Sequence, residues 1–450
     1  MAQLGARLNG IQKVVGSIPI SSIFIVSEIY DYMLSKRTKK FLSPVFLFPV
    51  LFFSLFHSSL ISQQQTIDDL KKRVEEIGKL EFKTDIPIRY FSKSRMQKYI
   101  GTLVEEEYLD ESAAKDALFI QLMGFSNRKL DLKTIRKKIF ISNAGGLYNE
   151  KTGVLVASND YRTVNMMNAA ILVHELRHAL QDTYFDLSEI LGEYSNFDDR
   201  KLAVLSAVEG DATFVMTKFI DFDPDVMSST YSSDALISFS PLGNTAQLSR
   251  APDIVKHQLT MPYIKGLRFV SAVFNKKKWK GVNKILKSPP DSTEQILHPE
   301  KYLKQEKSIP VIIDYNPGGY NLYHTGVIGE YYLNILLKSR DNYIEYALGW
   351  GGDSFKIYKN NSSYFLVWKS VWDKEKFCSN FYFDFKRFIE KKFQVNFKKG
   401  NTKGSLFIAG QSDLTGSGYF FIRRIKNRMI YARSNDKNQM NLFIYGGNYD

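Results

Sequence analysis

Hydrophobic and polar residues alternate with two different periods in the first half of the chain. Alternation with a period of two predicts a strand at residues 86–91 and a β-hairpin at residues 145–157. Helical spacing of apolar residues predicts helices at residues 94–108 and 112–123, and residues 68–79 are predicted to form a polar helix or a linker. The pattern therefore mixes short strands with helices.

Two helices are predicted directly after the hairpin. Residues 168–182 are apolar on most sides and contain no Pro or Gly, which is typical of a buried helix. Residues 199–213 form the second predicted helix, and Asp198 or Asp199 is a suitable N-cap for it. Further helices are predicted at residues 267–274, 326–338 and 373–391, with a loop at 222–252 and a terminal hairpin at 418–432. Strands precede the two helices predicted at residues 168–182 and 199–213, and further helices follow them. This order predicts an α+β fold.

The N-terminal part has the layout of an export signal. A cationic stretch at residues 35–40 precedes an apolar run at residues 41–56, and small residues suited to cleavage lie near residue 62. An uncleaved membrane anchor at residues 41–61 is the rival interpretation, and a buried core helix is a third. Met33 is a natural start for such a signal, so residues 1–32 are expected to lie outside the working protein. We expect a periplasmic, secreted or membrane-anchored protein whose main part lies outside the cytoplasm.

The pentad His174-Glu175-Leu176-Arg177-His178 lies within the predicted helix 168–182. Histidines at positions i and i+4 lie on one face of a helix, one turn apart, so both imidazoles can reach one metal ion. Glu175 has the chemistry of a general base acting on a zinc-bound water. The chain contains only six histidines, which makes a chance pattern uncommon. The alternative is a helix whose polar face happens to carry two histidines.

A catalytic zinc usually takes three protein ligands and one water. A metzincin would have Gly and His where this chain has Gln181 and Tyr184, so that arrangement is excluded. Glu209 is the better candidate for the third ligand. It lies among small residues on the predicted helix 199–213, and small residues allow two helices to approach closely. The alternative for Glu209 is a solvated carboxylate.

Two aspartates are further candidates. Asp211 is either a competing ligand or a residue that orients a ligand histidine. Asp182, one turn beyond His178, is either such an orienting residue or an ordinary surface residue.

The sequence around these residues resembles a family of largely uncharacterised bacterial zinc metallopeptidases of the gluzincin type. The resemblance extends over roughly residues 66–435, and its blocks are 144–153, 174–182, 207–213, 262–270, 289–302 and 348–353. It implies a zincin-like core at residues 66–220, with a small sheet and an active-site helix. It also implies one zinc ion bound by His174, His178 and Glu209, with Glu175 as the base. A mostly helical part ending in a β-hairpin is expected at residues 221–450.

Two other residues in the shared blocks, His298 and Tyr263, are candidate donors to the oxyanion. The expected function is a zinc metallopeptidase that hydrolyses proteins or peptides, with the hairpin binding the substrate as an added strand. The hairpin is otherwise an ordinary structural element. Two alternatives stay open: a zinc-binding envelope protein without catalysis, and a zinc amidase that acts on a wall component other than protein.

Composition changes this interpretation little. The net charge of +14 comes from scattered lysines without the patterned patch that nucleic-acid binding requires, so no nucleic-acid partner is expected. Membrane contact is expected only through residues 41–61. The single Cys378 excludes an intramolecular disulfide but not export. The sequence does not indicate an oligomeric state.

Overall fold

The computed structural model of this protein describes residues 66–446, apart from residues 144, 163–164, 192–196, 225–242, 244, 339–345, 400–404 and 413–415. The signal peptide or anchor predicted within residues 1–62 lies outside the described residues, as does most of the loop predicted at residues 222–252. None of the described helices has both the length and the apolar character that crossing a bilayer requires.

Helices occur along the whole described chain. They are α1 (Ile67–Gly78), α2 (Lys93–Glu107), α3 (Asp110–Met123), α4 (Leu132–Ser142), α5 (Met166–Phe185), α6 (Leu187–Leu191), α7 (Asp199–Phe219), α8 (Ala246–Ser249), α9 (Asp253–Ile285), α10 (Thr293–Leu297), α11 (Pro299–Leu303), α12 (Gly329–Leu337), α13 (Glu375–Phe393) and α14 (Lys437–Gly446).

The described strands form two sheets. The small sheet contains β1 (Ile88–Phe91), β2 (Gly146–Asn149) and β3 (Val154–Ser158) in the order β1-β3-β2, with β1 parallel and β2 antiparallel to β3. The large sheet is antiparallel and has the order β4-β5-β6-β10-β9-β8-β7. Its strands are β4 (Asn321–Gly326), β5 (Trp350–Lys359), β6 (Tyr364–Trp372), β7 (Lys398–Lys399), β8 (Ser405–Ser412), β9 (Gly416–Ile425) and β10 (Arg428–Ser434).

The fold is α+β, as the sequence pattern predicted. The strand at β1, the hairpin β2–β3 and the helices α2, α3, α5 and α7 are also confirmed, with bounds within a few residues for most of them. The predicted polar segment at residues 68–79 is a helix. Thr66 caps it in a reciprocal capping box with Asp69.

The C-terminal part differs from the mostly helical one expected at residues 221–450. The predicted hairpin is present as β9–β10, but it belongs to the seven-stranded sheet and is followed by α14. Both faces of this sheet are covered. In β6, Leu366 and Trp368 pack in one core with α13, whereas Phe365 and Val367 pack in another with α14. A strand buried on both faces has no alternation of polar and apolar residues, which explains why it was not predicted.

Helix α5 lies against the small sheet. Asn165 caps its first turn by accepting a hydrogen bond from the backbone N–H of Asn168 at 2.9 Å. Apolar residues at helical spacing along α5 share one core with the small sheet, α1 and α7, and they are Ala169, Leu172, Val173, Leu176, Ala179 and Leu180. This packing fixes the orientation of α5 against the small sheet, α1 and α7.

Helices α7 and α9 cross at unusually short range. A Cβ atom added at Gly210 would lie 2.3 Å from the carbonyl carbon of Gly266, and one added at Gly266 would lie 2.1 Å from the carbonyl oxygen of Ser206. Glycine at both positions is therefore required for the two backbones to approach so closely. This contact brings α9 beside Glu209, the residue that precedes Gly210.

Candidate metal centre

Three predicted ligands converge between α5 and α7. The Nε2 atoms of His174 and His178 lie 3.0 Å apart, and Oε2 of Glu209 lies 3.1 Å from the first and 3.3 Å from the second. His174 is buried, whereas the side chains of His178 and Glu209 retain 12% and 16% exposure. Among the described residues, these three are the His, Cys, Asp and Glu side chains whose ligand atoms lie close enough together to share one metal ion.

The spacing of these three atoms fits a tetrahedral zinc site. Zinc binds imidazole nitrogen and carboxylate oxygen at about 2.0–2.2 Å, so two ligand atoms of a tetrahedral site lie about 3.3 Å apart. The observed separations of 3.0, 3.1 and 3.3 Å match the three edges of one face of such a tetrahedron. Two imidazoles and a carboxylate are also a ligand set that zinc prefers.

The electrostatics of the three residues are coupled. Burial lowers the pKa of His178, but the Glu209 carboxylate outweighs it and the net effect raises the pKa to about 9. Burial likewise opposes ionisation of Glu209, but the two histidines outweigh it and hold the pKa of that carboxyl below its ordinary value. The Glu209 carboxylate therefore stays negatively charged and stabilises a positive charge next to it.

Glu175 lies beside the cluster and is bound by the small sheet. The backbone N–H of Tyr148 in β2 donates a hydrogen bond to Oε2 of Glu175 at 2.8 Å. Burial raises the pKa of Glu175, and the two neighbouring histidines oppose this. The side chain is 4% exposed. A buried carboxylate with a raised pKa and a defined orientation is suited to accept and return a proton.

Tyr263 in α9 is brought to the same site. Its ring stacks on His174 with 6.1 Å between the ring centroids, and its hydroxyl lies near the Glu209 and Glu175 carboxylates. Burial, followed by the charges of Glu209 and Glu175, raises the pKa of Tyr263 well above its ordinary value. The hydroxyl therefore stays protonated and is a hydrogen-bond donor at every ordinary pH.

Asp211 is not at the ligand cluster itself. It forms a buried ion pair with Arg177, whose Nε and Nη2 lie 2.9 and 3.1 Å from the two carboxylate oxygens. It also accepts a hydrogen bond from Nε2 of Gln181 at 2.8 Å, and Oε1 of Gln181 lies 2.9 Å from Nδ1 of His178. Asp211 thus contacts a ligand histidine only through Gln181. This is the position of a residue that orients a ligand, not of a ligand itself.

Asp182 and His298 have hydrogen-bond partners outside the ligand cluster. Asp182 accepts hydrogen bonds from the Tyr148 hydroxyl at 2.8 Å and from the backbone N–H of Leu187 at 2.9 Å, and neither partner is a ligand histidine. His298 lies 3.0 Å from Glu330 and is not part of the three-residue cluster. The spacing of Asp182 on the helix and the position of His298 in a shared block did not indicate these partners.

Gln181 and Arg177 were not predicted as site residues. In the sequence, Gln181 only excludes a metzincin, and no motif indicates a role for Arg177. Both lie on α5 and are buried, with 0% and 1% exposure. A buried arginine needs a buried carboxylate partner. Asp211, two residues after the expected ligand Glu209, was a signal from which its ion pair with Arg177 could have been inferred.

Comparisons with known proteins concern the large sheet. Residues 321–435 match a family described as a domain of unknown function (DUF8575). The matched residues run from β4 to the end of β10 and include α12 and α13. No curated protein and no solved structure matched the chain.

Proposed function

We propose that the protein is a zinc-dependent metallopeptidase of the gluzincin type, with one zinc ion bound by His174, His178 and Glu209. The observation that carries the proposal is the convergence of the three ligand atoms at separations of 3.0–3.3 Å, next to the buried Glu175. A structural zinc requires no such carboxylate beside it, whereas hydrolysis requires a base. The zincin-like character of the core belongs to this proposal.

In the proposed mechanism, a zinc ion held by His174, His178 and Glu209 would act as a Lewis acid and would make the attacking water more acidic. Glu175 accepts the proton from the attacking water and returns it to the leaving amine. The Tyr148 N–H holds one carboxylate oxygen of Glu175 in place during both transfers. The Tyr263 hydroxyl, which stays protonated, is the candidate donor to the oxyanion.

The small sheet supports a mode of substrate binding. β2 is an edge strand, and the carbonyl of Gly145 accepts a hydrogen bond from Ser158 of β3. Because backbone groups alternate in direction along an antiparallel strand, those of Gly146 and Tyr148 point to the opposite edge. Tyr148 uses its N–H there to bind Glu175. An extended peptide that pairs along this edge would place its own backbone beside the base.

Two further parts of the proposal concern location and substrate. The export signal or anchor in residues 1–62 places the catalytic part outside the cytoplasm, where it acts on proteins or peptides. Recognition through backbone pairing gives affinity with little choice of side chains. A generic unfolded protein is therefore a suitable first substrate for the assay.

The test compares two variants with matched controls. Glu175→Gln should retain one zinc per chain and lose cleavage of an unfolded protein, because only the base is removed. His178→Ala should lose zinc. Glu106→Gln, an exposed glutamate in α2, and His257→Ala, a histidine that contacts Tyr331, should retain both properties. Full cleavage by Glu175→Gln, or no zinc in the wild-type protein, would refute the proposed function.

A further inference from the structure

The orientation of the Gln181 side chain follows from its partners. One end of the amide faces the carbonyl oxygen of Val208 at 3.0 Å and Oδ2 of Asp211 at 2.8 Å. Both partners can only accept hydrogen bonds, so this end must be the NH₂ group. The other end, Oε1, then faces Nδ1 of His178 at 2.9 Å. Since a carbonyl oxygen only accepts, Nδ1 of His178 must carry a proton.

The Asp211 carboxylate accepts hydrogen bonds from two sides, from Gln181 on one side and from Arg177 on the other. Arg177 can only donate, and it bonds Asp211 through Nε and Nη2. Nη2 of Arg177 also donates to Oδ1 of Asn283 at 3.1 Å, and Nδ2 of Asn283 donates to the carbonyl oxygen of Gly78 at 3.1 Å. This chain of hydrogen bonds therefore begins at the last residue of α1 and ends at the ring of His178.

Burial prevents three members of this chain from exchanging partners with water. Gln181, Arg177 and Asp211 are 0%, 1% and 3% exposed. Turning the amide of Gln181 would place its carbonyl oxygen against the Asp211 carboxylate and its NH₂ against a protonated ring nitrogen. Both contacts would be repulsive and neither group could find water instead.

We propose that Gln181 is the positioning residue of the metal centre. Through the chain from Gly78 by way of Asn283, Arg177 and Asp211, it holds His178 in the form protonated at Nδ1. Nε2 of His178 is then the nitrogen that is offered to zinc, and it is the nitrogen that lies 3.3 Å from Glu209. The inference deepens the proposed function, because it takes His178 as a metal ligand.

The two ligand histidines differ in this respect. Nδ1 of His174 is buried and has no hydrogen-bond partner among the described residues. The protein matrix therefore orients one ligand ring by a hydrogen bond at Nδ1, and this is the ring of His178. Loss of an orienting partner of a ligand histidine typically weakens metal binding about 10–100-fold.

The test uses the full chain, with zinc alone as the probe and a chromophoric chelator as the competitor. Gln181→Leu should weaken zinc binding about 10–100-fold. Gly78→Ala tests the far end of the chain, because its Cβ would lie 2.4 Å from Nη1 of Arg177 and would displace that side chain. We expect a loss in the same direction, on the order of tenfold. Thr217→Val, which removes a buried hydroxyl bonded to Phe214 on α7, is the control and should keep wild-type affinity.

A nitrogen NMR spectrum of the zinc-loaded wild-type chain gives a readout that loss of stability would not change. His178 should show a protonated Nδ1 and a metal-bound Nε2. Binding through Nδ1 would overturn the proposal, as would wild-type zinc affinity in both Gln181→Leu and Gly78→Ala. If zinc binds and responds as expected but no peptide is cleaved, the role of Gln181 stands and the peptidase function fails. If the wild-type chain binds no zinc, both fail.

Discussion

The crossing of α7 and α9 provides the sharpest test of how the fold positions the metal centre. In Gly210→Ala, the added Cβ would lie 2.3 Å from the carbonyl carbon of Gly266, whereas ordinary contacts begin at 3.4 Å. The obstacle is backbone, which cannot rotate away, so the helices must separate by about 1 Å. Such overpacking costs about 3 kcal/mol at the upper end of its usual range. Replacing Gly by Ala within a helix offsets about 1 kcal/mol, which leaves a net loss of about 2 kcal/mol.

The separation of the helices has a second consequence. Glu209 precedes Gly210 on α7, and Tyr263 lies on α9 one turn before Gly266. Moving the helices apart therefore draws Tyr263 away from Glu209 and from the ring of His174 on which it stacks. We expect Gly210→Ala to lower both the free energy of unfolding and the zinc affinity. Gly266→Ala should act in the same direction, because its Cβ meets the Ser206 carbonyl oxygen.

The assay is chemical denaturation of the two variants beside a matched glycine. Gly101 lies in α2, and its Cβ would meet the flexible end of the Lys137 side chain at 3.3 Å and Cδ1 of Ile141 at 3.5 Å, which is an ordinary contact. Gly101→Ala should therefore be neutral or raise the free energy of unfolding by up to about 1 kcal/mol. Wild-type stability in Gly210→Ala, together with unchanged zinc binding, would show that the close crossing is not required and would refute this reasoning.

Three other predictions concern separate groups. Burial raises the pKa of Asp353 from 3.8 to about 6, despite hydrogen bonds from the backbone N–H groups of Ile328 and Gly329. The stability that this shift contributes, about 3 kcal/mol, is present below pH 3.8 and is lost as the pH rises through about 6. Urea denaturation across this range should show that Asp353→Asn removes the loss. Arg177→Met leaves Asp211 charged and unpaired in the interior, so it should lower the free energy of unfolding by about 3–5 kcal/mol, and Asp211→Leu added to it should recover much of that loss. Tyr263→Phe should lower kcat on the order of 100-fold while zinc stoichiometry, measured by metal analysis, stays at one.

Local patterns predicted best the segments in which several local signals agree. The hairpin β2–β3 and the helices α5 and α7 were predicted because turn residues, caps and apolar spacing all indicate the same element. Of the large sheet, only the hairpin β9–β10 was predicted. Strand β6 of this sheet is apolar on both faces, and covering by α13 and α14 is visible only in the fold.

The sequence by itself determined that His174 and His178 share one face of a helix, with Glu175 beside them. The backbone geometry of an α-helix establishes that relation whatever surrounds it. Tertiary structure alone decided how far Glu209 lies from both rings, that Tyr263 joins them, and that Val208 and Asp211 orient the Gln181 amide. These contacts depend on how closely α5, α7 and α9 pack, which is set by Gly210 meeting Gly266 and by a buried ion pair between Arg177 and Asp211. Partners so far apart along the chain leave no local periodicity by which to predict them.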